Sequence, residues 1–184
     1  MRNEPQARPQ LRLVAEPLDR PQDRAWFCGH CAAPAPEPTA PTARVCPGCG
    51  FGVLLQARVD VVPCRCDAYM VIDSSLLVQV LSRGAENLLA VPEELAINRS
   101  FAELLAPADA EAKGSGQLAS AIAAAAADDE VSFHVLVRPW NVFGVRMRAK
   151  VAPCGPPRAA LIVLEPANAV RAVPDARGPQ RDKR

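Results

Sequence analysis

The 184 residues suffice for one ordinary domain, or for a domain of about 100 residues beside a metal-held miniature, and exclude a large multidomain enzyme. Hydrophobic residues make up 49% and charged residues 22%, which excludes wholesale disorder. With 21 basic and 20 acidic residues the net charge is +1, so no global field draws the whole chain onto nucleic acid or an anionic membrane.

Residues 1–24 carry prolines at 5, 9, 17 and 21 and apolar residues only at Leu11, Leu13, Val14 and Leu18, the composition of a disordered tail. Charged residues there leave no room for a secretory signal, and the longest uncharged run, Gly114 to Ala127, is short and Ala-rich against the roughly 20 apolar residues of a spanning helix. The expectation is a cytoplasmic chain that does not cross a membrane.

Residues 25–62 form the next unit, a small module and linker with too little apolar material to fold without a staple. Cys28-Gly-His-Cys31 and Cys46-Pro-Gly-Cys49 supply one. Each pair offers two thiolates from one tight turn, and four sulfurs complete a tetrahedron about 2.3 Å from a Zn²⁺ ion. With every position taken by sulfur, Cys28, Cys31, Cys46 and Cys49 are expected to hold structural zinc. His30, inside the first turn, is expected to face solvent.

Residues 66–167 are richer in apolar residues. Tyr69–Asp73 and Leu76–Leu81 are β-prone runs split by Asp73-Ser74-Ser75, which predicts a hairpin. Gly84–Ala90 reads as a short helix, and Pro92 suits the first turn of another. Ser100 and Glu103 have the spacing of a capping box ahead of Leu104, which predicts a third. Gln117–Ala127 is a longer, Ala-dense helix that ends at Asp128-Asp129. Strands follow: Val131, Phe133, Val135 and Val137 alternate with Ser132, His134, Leu136 and Arg138, then Phe143, Val145, Met147, Ala149 and Val151 alternate with Gly144, Arg146, Arg148 and Lys150. Leu161–Leu164 is a third, more buried strand. Residues 168–184 read as a disordered basic tail with five basic and two acidic residues.

The two cysteine turns resemble those of the zinc ribbon family over residues 26–55. Nucleic-acid-binding ribbons carry basic residues, and residues 26–58 offer only Arg44 and Arg58, so protein contact is the preferred reading. The order of elements in 66–167, with Tyr69-Met-Val-Ile-Asp73, Ser82-Arg-Gly-Ala-Glu86 and Ser100-Phe-Ala-Glu-Leu-Leu, resembles the PAS family. That resemblance implies an α+β fold, a five-stranded antiparallel sheet with helices on one face around a ligand pocket, used in sensing and in pairing, homodimers included. Asn98 stands where the family often has Gly, and Asn tolerates a left-handed backbone. Neither a flavin-linking cysteine motif nor a haem-ligating His on the helical side is present, so no flavin or haem is expected and no residue is assigned to a cofactor.

Arg146, Arg148 and Lys150 share one strand face and form a candidate partner surface, weighed against a plain solvated sheet. No catalytic motif is found, and the two His lie in a cysteine turn and on a strand. The expected function is a non-enzymatic regulatory adaptor that binds a protein. The runner-up is a nucleic-acid or transcription-machinery binder led by the ribbon. The two modules are expected to have separate cores.

Overall fold

The computed structural model describes residues 24–35, 41–108, 115–127, 132–140, 142 and 144–166. The readings on the two tails, on Val131 and Phe143, and on the helix stop at Asp128-Asp129 lie outside these residues. The described chain is α+β, built on an antiparallel sheet. Its elements are β1 (Arg24–Cys28), β2 (Leu54–Arg58), β3 (Ala68–Asp73), β4 (Val78–Leu81), α1 (Arg83–Leu89), α2 (Glu93–Ala96), a 3-10 turn (Phe101–Glu103), β5 (Leu105–Pro107), α3 (Ser115–Ala126), β6 (Phe133–Pro139), β7 (Met147–Gly155) and β8 (Ala159–Pro166).

Local chemistry accounts for most boundaries. The Asp73 carboxylate builds the β3–β4 turn by accepting hydrogen bonds from the Ser75 and Leu77 amides at 2.8 and 3.0 Å. The Ser82 hydroxyl accepts from the Ala85 amide and caps α1. Pro92 stands one position outside α2, as its N-cap. Asn98 does take a left-handed backbone, at φ 62°.

The Ser100 box departs from expectation. Ser100 accepts from the Ala102 amide, Glu103 turns back to pair with Arg99, and the segment makes only a 3-10 turn before entering β5.

The sheet runs β1-β2-β7-β8-β3-β4, with β6 paired to β7 and β5 paired to β6. This corrects the expected five-stranded sheet: β4-β3-β8-β7-β6 are present in one sheet, but β5 lengthens it beyond β6, and both strands of the cysteine module join it along the same edge of β7 that β6 pairs with, further along the strand. The join is Gln56 opposite Gly155 and Ala57 opposite Cys154. Along one side of β7, Phe133 of β6 faces Val151, and β2 takes over at Cys154. Pro153, which has no amide hydrogen to donate, sits in the interval between the two neighbours.

Strand β7 also starts later and runs further than the alternation predicts. Val145 lies ahead of it and is 39% exposed, whereas Met147 and Ala149 are buried as expected.

The sheet buries both faces. Its inner face packs Met70, Ile72, Val137, Ala149, Val151 and Ile162 with Leu105 of β5 against Leu89, Phe101, Leu118 and Ile122 from the helical side. Its outer face packs Tyr69, Val71, Ala152, Cys154, Leu161 and Val163 against Phe27, Ala32, Leu55, Ala57 and Val61. The cysteine module and the sheet therefore share this second core, and the expectation of separate cores is overturned. The cause is the apolar outer face itself, whose burial is worth about 1.5–3 kcal/mol per large side chain and outweighs leaving the module tethered in water.

No helix among the described residues is long and apolar enough to cross a membrane.

Candidate metal centre

The first cysteine turn leaves β1 at Cys28 and is held by the Ala32 amide donating to the Cys28 carbonyl at 2.9 Å, with Ala32 at φ 55°. The second is closed by the Gly50 amide donating to the Cys46 carbonyl at 2.9 Å. An antiparallel bridge of Val45 with Val53 carries that turn back to β2.

These supports bring all four sulfurs within 4.8 Å of one another. Cys28 Sγ lies 3.7 Å from Cys49 Sγ, and Cys31 Sγ lies 3.9 Å from Cys46 Sγ. A tetrahedron with bonds of about 2.3 Å has edges of about 3.8 Å, so the donor set fits a metal of zinc's size and preference.

The Cys31, Gly48 and Gly52 amides point at Cys28, Cys46 and Cys49 sulfur at 3.3–3.4 Å. Amide donors at Gly52 and Phe51 draw the Cys49 thiol down to about 6, toward the thiolate form that a metal needs. Burial pushes the Cys28 thiol up to about 12, an opposing cost that a cation's charge offsets. Cys28 and Cys46 are buried, packed with Trp26 and Leu54, while Cys31 and Cys49 are partly open.

The remaining cysteines stay apart. Cys64 and Cys66 are exposed just before β3, whereas Cys154 pairs with Ala159, which in turn faces Asp73 at the far end of that strand. Cys154 is buried, which pushes its thiol up to about 12 and leaves it inert.

His30 is exposed, as expected from its place in the turn. Its Nε2 lies 3.7 Å from Glu93 Oε2, and its ring tilts against Phe51 with centroids 6.3 Å apart. His134 is an exposed strand residue opposite Lys150.

The module's two basic residues are engaged within the chain. Arg44 stacks over Trp26, 5.2 Å from the ring centroid, and donates to the carbonyls of Leu54 and Pro156. Arg58 pairs with Asp60 at 3.0 Å. Tyr69 reaches the other way, its buried hydroxyl donating to the Gly29 carbonyl at 3.0 Å, and burial holds that phenol well above its ordinary value.

Of the candidate partner stripe, Arg146 and Arg148 are exposed, but Lys150 is committed within the chain. Its ammonium donates to the Asp60 carbonyl at 2.8 Å and to the Asp60 carboxylate at 2.9 Å, clipping β7 to the segment that follows β2.

Burial raises the Asp60 carboxyl, but the bonds from Lys150 and Arg58 outweigh it and set the group below its ordinary 3.8. The clip therefore contributes fully above that ordinary value and is lost as the pH falls through the lowered one. Lys150→Met should cost no more than about 1 kcal/mol at neutral pH, since Asp60 is half exposed. Thermal melts at neutral pH and near pH 2 should show the wild-type advantage shrinking in acid; an advantage that persists there would remove Asp60 from the account.

No family model matches the sequence, and no curated protein matches it. Among solved structures, the PAS domain of nitrogen regulation protein NR(II) from Vibrio parahaemolyticus is similar at 15% identity, with 55% of this chain and 89% of that chain covered and a TM-score of 0.41.

Proposed function

We propose that this protein is a non-enzymatic regulatory adaptor, in which a zinc ribbon held by Cys28, Cys31, Cys46 and Cys49 and a PAS-like sensor or docking module act together by binding a protein partner. The observation that carries the reading is the union of the two modules on one apolar sheet face, with Arg44 and Arg58 spent on Trp26, on backbone carbonyls and on Asp60. A metal with four sulfur ligands has no open position for substrate, so the metal's role is to hold a shape. A ribbon whose two cations are already engaged within the chain is a poor match for phosphates and a better match for protein.

Titrating a fluorescent DNA duplex and a single-stranded RNA with the zinc-loaded chain tests this directly. At moderate salt the expected result is weak binding with a shallow dependence on salt. Submicromolar binding that falls steeply as salt rises, with a slope worth several phosphates, would replace the adaptor with a nucleic-acid binder.

A further inference from the structure

Where the metal module meets the β3–β4 hairpin, the described residues leave a groove of about 530 Å³. That lies within the roughly 300–1,000 Å³ of ligand-binding clefts, which favour the seams between modules. Phe51, Val53 and Leu55 form one wall, Val71 and Val80 form the other, and Asp73, Gln79 and Glu93 bring polar groups to the rim. We propose that this groove docks a protein segment in which an apolar side chain lies next to a lysine or arginine. The inference deepens the adaptor reading and rests on it.

Three observations select that occupant. The first is apolar surface that continues past the groove: Phe51 is 84% exposed, and Val45 and Val53, the bridged pair on the same arm, are 54% and 44% exposed. A small molecule seated in the groove would cover only part of this surface, whereas a polypeptide crossing the rim would cover Phe51, Val53 and Val45 together.

The second is the charge of the rim. Glu93 accepts the Leu81 amide through Oε1, and among the described residues its Oε2 has no nearer partner than His30 Nε2 at 3.7 Å, beyond hydrogen-bond length. Asp73 is satisfied by backbone amides and by the Gln79 side chain, yet keeps its charge facing the same space. The guanidinium at this rim, Arg158, already has a partner within the chain. An incoming cation meets a carboxylate oxygen at Glu93, and with two carboxylates against the one guanidinium the rim favours a cation over a carboxylate.

The third is how the wall is built. Gly29, His30, Phe51 and Gly52 line the groove, the first two between Cys28 and Cys31 in sequence and the last two just after Cys49. The metal therefore sets one side of the site, and docking should require it.

The test uses the zinc-loaded full chain, nuclear magnetic resonance, and two octapeptide probes, one alternating Leu and Lys, the other Leu and Glu. The Lys probe should shift resonances of Phe51, Gly52, Gln79 and Val80 saturably, and the Glu probe should not. Phe51→Ala should weaken the Lys probe about tenfold, as expected for an aromatic anchor. Glu93→Gln, which keeps an oxygen for the Leu81 amide, should weaken it about fivefold, and chelating the metal should abolish the shifts.

Shifts confined to other surfaces, equal binding of both probes, or indifference to both substitutions would overturn the proposal. Partner retention from native extract separates the two levels of the account. A partner held equally by wild type and by both variants sinks the groove and keeps the adaptor; a wild type that retains no protein partner sinks both.

Discussion

Replacing Cys46 with serine should release the metal and destabilise the whole described fold, not the cysteine module alone. Structural zinc in isolated finger peptides contributes about 10–16 kcal/mol of apparent folding energy, and a module this small has nothing to replace it. Once residues 26–55 loosen, Tyr69, Val71, Leu161 and Val163 lose their cover from Phe27, Leu55 and Ala57. Each large side chain returned to water costs about 1.5–3 kcal/mol, so the sheet should melt well over 10 °C earlier and bind a hydrophobic dye. Metal analysis, a thermal melt and dye fluorescence on the variant check this together. An unchanged sheet transition alongside an empty metal site would mean that the modules are independent after all.

The second large effect belongs to Gly52. A Cβ at this position would stand 2.2 Å from Cys28 Sγ, 2.7 Å from His30 Cβ and 3.1 Å from the His30 backbone nitrogen. The two His30 atoms lie on or next to the backbone, and a bound metal would pin the Cys28 sulfur. Gly52 also donates its amide to Cys49 Sγ, so the displacement would reach two ligands.

Gly52→Ala should lower metal affinity by about 100-fold, the upper range for changes next to a metal's ligands. The control is Gly48→Ala, whose added carbon would find Cys46 Sγ at an ordinary 3.6 Å. Competition against a chromogenic chelator measures both. Equal affinities for the two variants would show that the turn relaxes and that this packing does not govern the site.

What the sequence made legible follows from range along the chain. The C-x-x-C turns, the Asp73 hairpin and the short helix expected at Gly84–Ala90 are decided by residues within a few positions of one another, and each is found within a residue or so of where its residues point. Strand β5 was not legible: three residues after a failed capping box become a strand only because β6 lies beside them. Pro153 hid the extension of β7, since a proline inside a strand argues against it unless the neighbouring strand changes there.

The union of the two modules was the largest omission, and a signal for it was available. Leu161–Leu164 is apolar at every position, and Ala152 and Cys154 continue the face on which Arg148 and Lys150 stand. A sheet with one wet face alternates; a run without alternation needs cover on both sides. The inference to a second layer was open from those residues, although what supplied it, residues more than 90 positions away, was not.

The central claim is that the metal-held module and the sheet form one core, and hydrogen exchange with and without chelator tests it most directly. Removing the metal should deprotect β1 and β2, and the loss should spread to Cys154 and Gly155, which pair with β2, and to Tyr69 and Val71 beneath the module. If exchange rises only between residues 24 and 58 while β3, β7 and β8 keep their full protection, the shared core is contradicted and the two modules fold apart.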